Sequence, residues 1–223
     1  MTTRGKRPAS RPRRTYHHGD LRQALVDATL ALIRQEDVGA VSLREVARRA
    51  GVSAAAPYHH FRDKNALLAS VAEEGYRALN RHMEAVFAEG PDARPAEVLR
   101  RLARCYVRFA LEHPAHFRVM FREEWGDEEK YPGVHAEGMR AFQCLLDWAA
   151  SARAGSAGAA SKADVDTLAF TTWAWVHGLA SLWNEGPLRK KSGAASVEPL
   201  LERSTELFVQ LVTGAAEPKP SRR

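Results

Sequence analysis

Apolar residues along this chain return every three or four positions and almost never every second one. Leu21, Leu25, Ala28 and Leu32 are spaced 4, 3 and 4 apart, which sets one face of a helix from about Asp20 to Gln35. Ser42 followed by Glu45 reads as a capping box opening a second helix, Leu43 to Ala50, and Gly51 suits the left-handed residue that closes it. Ser53 then caps a third helix, running to about Phe61. Asp63 caps a long fourth one, with Leu67, Val71, Gly75, Leu79 and Met83 as its stripe and Val86 close by.

The pattern breaks between Pro91 and Pro95. It resumes with Val98, Leu102, Cys105, Tyr106 and Phe109 on one face. His113-Pro114 interrupts it, "AHFRVMFREEW" continues as a short helix, and "GDEEKYPG" reads as a loop. Residues from about Val134 to Ala152 are helical. "SARAGSAGAASK" (151–162) reads as a loop, Asp164 to Asn184 as a long apolar helix, and "EGPLRKKSGAAS" as a further loop. Val197, Leu200, Leu201, Ser204, Phe208 and Leu211 mark a last helix before a Pro/Lys/Arg tail. No alternating strand and no internal repeat is present, so the expected fold is all-α with about nine helices.

Composition narrows the class. Hydrophobic residues make up 45% and charged residues 27% of 223, ordinary for a soluble globular chain with room for a large core. No apolar run approaches the ~20 residues that span a bilayer, and the basic N-terminus lacks the apolar stretch of a signal peptide. The expected compartment is the cytoplasm, with no membrane partner. Cys105 and Cys144 fall in apolar segments and read as reduced core residues.

The net charge of +6 is unevenly placed. Residues 1–66 hold 13 Lys and Arg against 6 Asp and Glu; the rest hold 20 against 21. That is the distribution expected when one end meets a polyanion; a solvated basic tail is the plainer alternative. The organisation expected is a disordered basic arm (1–18), a small basic domain (19–66), a larger near-neutral domain (67–214) and a flexible tail (215–223).

The basic third contains "VSLREVARRAGVSAAAPYHHF", two short helices around a glycine-containing turn: a helix-turn-helix. Its second helix keeps Val46, Ala47 and Ala50 inward and leaves Arg44, Arg48 and Arg49 outward. "SLREVARRAGVSAAAPYHHFRDKNALL" resembles the N-terminal domain of TetR-family transcriptional regulators: Gly-Val-Ser at the turn, then Tyr-x-His-Phe, then Asp-Lys and an apolar pair. The likeness covers residues 17–75. "HPAHFRVMF" and "WAWVHGLASLW" are similar to a subgroup of that family with a Trp-Val-His-Gly signature in its C-terminal domain.

The resemblance implies a homodimer that lays two reading elements into successive major grooves of a palindromic operator on double-stranded DNA. A small molecule in the C-terminal domain would then release the DNA. It also implies roles. Ser42 and Arg44 would bind the DNA backbone, Tyr58 would offer a hydroxyl to a phosphate, His59 would face base edges or phosphates, and Lys64 would offer a charge to phosphate. Tyr58 packing instead against its neighbours, and Arg48 and Arg49 merely solvated, are the plainer alternatives. His60 and Phe61 read as core.

Pro57 departs from the aliphatic residue most members carry. It removes a backbone donor and crowds the carbonyl of Ser53. It reads as the inward apolar contact of a short helix with a distorted first turn. Ala54, Ala55 and Ala56 stand beside Ser53 where polar readers are common. An alanine methyl can pack on a thymine methyl and lets the backbone approach the groove.

Other chemistry is weaker. His17-His18, His59-His60 and His113/His116 lack the spacing and partners of a metal set. No hydrolase, Walker or dinucleotide motif is present, so no enzyme and no cofactor is expected. The second half is rich in large aromatic residues, which serve either as core or as walls of a ligand cavity. Phe117, Phe121, Phe170 and Trp173 are the expected walls, with His177 as the polar anchor. A buried imidazole needs a partner, and a ligand, a carbonyl or a water would each serve. The expected ligand is mostly apolar or aromatic with a single hydrogen-bonding group. The last two long helices carry apolar stripes wide enough to pack on each other and on a second copy, with Leu207, Phe208 and Leu211 near the centre. A repressor is the function this reading favours. An activator, or a nucleoid-type DNA-binding protein without an inducer, is the alternative.

Overall fold

The computed structural model describes residues 18–88, 93–154 and 161–213. The basic arm (save His18), the middle of the 151–162 loop and the C-terminal tail lie outside the described residues. Nine α-helices are present among the described residues, with three 3-10 turns and no strand. They are α1 (His18–Gln35), α2 (Leu43–Ala50), α3 (Lys64–Ala88), α4 (Pro95–Glu112), α5 (Pro114–Met120), α6 (Pro132–Arg153), α7 (Lys162–Asn184), α8 (Pro187–Ser192) and α9 (Glu198–Thr213). The all-α expectation holds, but the nine are not the nine read from the pattern.

The segment read as a third helix from Ser53 is a 3-10 turn over Ala56–His59. Ser53 is not its side-chain cap. The Ser53 carbonyl accepts from Ala56 N at 3.0 Å, three residues on, and Tyr58 N bonds to Ala55 O at 3.2 Å in the same way. An α-helix would need the N–H of residue 57 at the Ser53 carbonyl, and proline has none. The stretch "EGPLRKKSGAAS", read as loop, contains α8. Gly186 and Gly193, both left-handed at φ 96° and 64°, bracket it, and Pro187 opens it.

Two cores meet along α3, and α5 and α6 also give residues to both. Leu25, Leu32, Ile33, Val46, Phe61, Leu67 and Leu68 centre the first, which also takes in Ala115 and Val119 from α5. Leu99, Leu102, Phe109, Trp148, Ala169 and Val176 centre the second. α3 gives Leu67 to Ala72 to the first and Leu79 and Met83 to the second, and Tyr76 packs against both. The long helix therefore crosses the expected boundary at 66/67 without a break.

α5 crosses α3 closely at Gly75, where an added Cβ would lie 2.7 Å from Met120 Sδ and 3.0 Å from His116 Cβ. α9 lies along α4, tied by a bidentate Arg100–Glu206 pair at 2.6 and 2.7 Å. It meets α7 through the Trp175–Phe208 stack, ring centroids 4.7 Å apart. Cys105 and Cys144 are free and half-buried, and burial raises the Cys105 thiol to about 11. No described helix is long and apolar enough to cross a membrane.

Candidate DNA-binding face and ligand cavity

α2 starts where Ser42 accepts from Glu45 N at 3.2 Å and ends at Gly51, left-handed at φ 70°. The reciprocal half of the expected capping box is not made. Glu45 turns instead to Arg48, whose Nε lies 2.9 Å from Oε2, and this pairing holds the Glu45 carboxyl below its usual range. Arg49 bonds to Gln35 at the end of α1. Of the three outward arginines only Arg44 has no pairing among the described residues.

Past the turn, Ser53, Ala54, Ala55 and His59 are exposed, Ala56 is half-buried, and Tyr58 is 56% exposed. Pro57 is buried, as an inward contact should be, and Phe61 is core with the Arg22 guanidinium 5.3 Å above its ring. His60, read as core, is only half-buried. Lys64 does not extend freely toward solvent. Its Nζ donates to Val38 O at 3.0 Å and Gly39 O at 3.4 Å, closing the corner between α1 and α2. Burial, then the nearby Arg122, lowers its pKa, and Glu124 opposes them.

The second core encloses a cavity of about 330 Å³. α3 lines it with Tyr76, Leu79 and Met83, α4 with Leu99, Leu102 and Tyr106, α6 with Met139, Phe142 and Leu145, and α7 with Phe170, Trp173 and Trp175. Phe121 closes the end beside α5. Among the described residues no Asp, Glu, Lys or Arg lines it. Three of the expected walls, Phe121, Phe170 and Trp173, are there.

Phe117 and His177 are not among the lining residues. Phe117 is buried behind Phe121, with the His177 ring stacked on it at 5.2 Å. His177 Nδ1 lies 2.8 Å from the Tyr106 hydroxyl and Nε2 lies 3.2 Å from Ser181 Oγ. Burial lowers its pKa, so the ring is neutral, with one nitrogen to accept and one to donate. His177 is half-buried, and each of its ring nitrogens has a partner within the chain. The aromatic spacing pointed to its position, but nothing in one sequence could show that Tyr106, 71 residues away, would meet it.

α5 touches both halves. Toward the cavity, the Tyr76 hydroxyl donates to Met120 O at 3.0 Å. Toward the reading domain, His116 Nε2 lies 3.3 Å from Glu74 Oε1, Gln23 of α1 donates to Glu74 Oε2 at 3.0 Å, and Arg118 donates to Ile33 O at 3.3 Å. Among the described residues no group of three or more His, Cys, Asp or Glu could hold a metal ion.

A basic helix-turn-helix region is joined by one continuous helix to a domain with an aromatic-walled cavity. Residues 25–71 match the family described as bacterial regulatory proteins, tetR family, and residues 99–215 match the tetracyclin repressor-like C-terminal domain. The chain belongs to the TetR family of transcription regulators. A Rhodococcus sp. RHA1 protein of unknown function is 29% identical, with 92% of this chain and all of that one aligned at a TM-score of 0.74. A tetR-family regulatory protein from Rhodococcus RHA1 is 18% identical, covering 88% and 98%, at 0.69. The TetR-family regulator PfmR of Thermus thermophilus is 19% identical, covering 87% and 99%, at 0.63. The last two likenesses are of fold.

Proposed function

We propose that the protein is a ligand-responsive repressor that binds a palindromic operator as a homodimer and is released by a small apolar or aromatic molecule. The observation that carries this reading is α3. It begins at Lys64 in the reading domain and lines the cavity with Tyr76, Leu79 and Met83. A ligand that moves Tyr76 or Phe121 also moves Met120, and with it the α5 contacts to Glu74 and Ile33. A ligand acts as inducer only if it binds the DNA-incompetent arrangement more tightly than the competent one.

The lining selects the ligand class. A charge placed inside would find no opposite charge, so a neutral apolar or aromatic body is favoured. The polar groups at the lining are the Tyr76 and Tyr106 hydroxyls, Thr172 and His135, and His177 reaches the cavity through Tyr106. On the DNA side, Ser42 and Arg44 serve phosphates at the start of α2, and Tyr58 and His59 face the groove. The basic arm tracks phosphates or enters the neighbouring minor groove.

The dimer face is read from exposure. Leu182 on α7, and Leu207 and Leu211 on α9, leave large apolar side chains uncovered. Gel shifts with the upstream DNA of its own gene, with and without neutral aromatic compounds, test the reading. A compound that quenches the fluorescence of Trp173 and Trp175 should also release the DNA. Binding of DNA that no cavity ligand alters would favour a nucleoid-type protein. A footprint upstream of the promoter elements, rather than over them, would favour an activator.

A further inference from the structure

Among the residues that line the cavity, only Met139 on α6 and Phe170 on α7 are exposed, at 47% and 54%. Each stands at the edge of its helix's inward face. On α7, Ala169, Thr172 and Val176 are buried, Thr167, Thr171 and Ala174 are exposed, and Phe170 falls between the two sets. On α6, Val134, Ala141 and Leu145 are buried, Ala136, Arg140 and Gln143 are exposed, and Met139 falls between them. From this edge a line of rings runs inward. Phe170 lies on Phe142 with centroids 4.9 Å apart, Phe142 meets Trp173 at 6.0 Å, and Trp173 meets Phe121 at 6.1 Å.

The seam between α6 and α7 can part without breaking a polar bond. Among the described residues no hydrogen bond or salt bridge joins the two helices. Polar groups at the rim bond along their own helix instead: Gln143 to Asp147 at 2.8 Å, Thr167 to Ala163 O and Thr171 to Thr167 O at 2.7 Å each, and Lys162 to Asp166 at 2.5 Å. Arg140 turns away to Glu84 of α3 at 2.6 Å. Neighbouring walls are pinned. Asn80 of α3 donates to Glu137 Oε2 of α6 at 2.9 Å, and Asn184 of α7 donates to Ala110 O of α4 at 2.9 Å. A methionine has three soft rotors, and exposed side chains change rotamer within nanoseconds, so Met139 and Phe170 can swing aside while both helices stay in place.

We propose that ligands enter and leave the cavity through the α6–α7 seam, with Met139 and Phe170 closing it against Phe142 as a gate. The proposal rests on the ligand-binding reading of the cavity and adds the route. It also gives the exposure of Phe170 a cause other than a subunit contact. The passage is as apolar as the walls, so it admits the same neutral apolar or aromatic compounds that the walls hold.

The test uses the full chain and the neutral probe N-phenyl-1-naphthylamine, followed in stopped flow by energy transfer from tryptophan. A gate residue changes entry and exit rates by one factor and leaves their ratio, the Kd, in place. A residue that is only wall changes the exit rate alone. Phe170→Ala removes the stack on Phe142 and should raise both rates about two- to tenfold, the scale of one aromatic pair, while Kd stays within about twofold. Met139→Trp fills the opening and should lower both rates. Both residues are exposed, so neither change empties the core. Entry rates unchanged in the two variants would overturn the proposal, as would a Phe170→Ala chain whose exit rate rises without its entry rate. Failure of the wild-type chain to bind the probe would instead overturn the cavity reading beneath it, and the proposal with it.

Discussion

At the scale of single residues, a side chain's partner decides its role more than its type does. Lys64 reads in sequence as a phosphate cation, yet its ammonium is spent on the carbonyls of Val38 and Gly39. Lys64→Gln should therefore destabilise the protein by about 1–2 kcal/mol, the scale of lost hydrogen bonds to a charged group. The slope of log K against log salt for operator binding should stay unchanged. Arg44→Ala should flatten that slope by about 0.9, because its guanidinium is unpaired and exposed. Titrations at several salt concentrations separate the two. His177→Ala strips the buried Tyr106 phenol of its partner and should cost about 1–3 kcal/mol in urea unfolding, before lost ring packing is counted. The sign of its pH effect follows from burial. The folded pKa lies below 6.5, so the stabilisation is complete above that value and is lost as pH falls through the folded pKa. Glu185 opposes the shift, and His113 is shifted the same way by burial. Lowering pH from about 7.5 to about 5.5 should reduce the urea midpoint, and His177→Asn should reduce it less.

At the scale of elements, one helix crossing can be tested by a single methyl. Gly75→Ala would push its Cβ into Met120 Sδ and His116 Cβ. Sδ can swing aside, but His116 Cβ is fixed to the α5 backbone. The substitution should cost about 1–3 kcal/mol of overpacking in urea unfolding and shift α5, changing how far a cavity ligand weakens DNA binding. Helices with a clean 3.6-residue stripe and a local cap were legible in the sequence, among them α2 from Ser42 to Gly51 and α3 from Asp63. The misses have physical causes. The reading segment has α-helical composition, but the missing N–H of Pro57 turns it into a 3-10 winding. α7 begins at Lys162 because Ser161 and Asp164 form a full capping box, a signal present in the sequence but obscured by the small residues before it. α8 was hidden because six residues between two glycines carry no stripe. The cavity's aromatic walls were legible as composition. The choice of Phe121 over Phe117 was not, because it depends on which side of α5 faces inward.

At the scale of the whole molecule, the question is what covers the apolar side chains the protomer leaves bare. The three residues expected at the centre of a dimer interface separate in the structure. Phe208 is buried against Trp175 and belongs to the protomer's own core, so its loss would unfold rather than dissociate. Leu207 and Leu211 are 62% and 82% exposed and contribute little to the fold of one chain. That difference makes Leu211→Glu a clean probe. A carboxylate there is solvated in the monomer and costs the protomer almost nothing, but in a dimer it would be buried with no partner in an apolar seam. Leu211→Glu should sediment as a monomer with helical circular dichroism unchanged. Operator binding should fall by more than tenfold, because a single reading head surrenders the effective concentration supplied by the second. Phe208→Ala serves as the control and should lower the unfolding stability by about 3–5 kcal/mol at any protein concentration. If Leu211→Glu remains dimeric, the α7 and α9 face is not the seam, and the exposed Leu182 needs another partner.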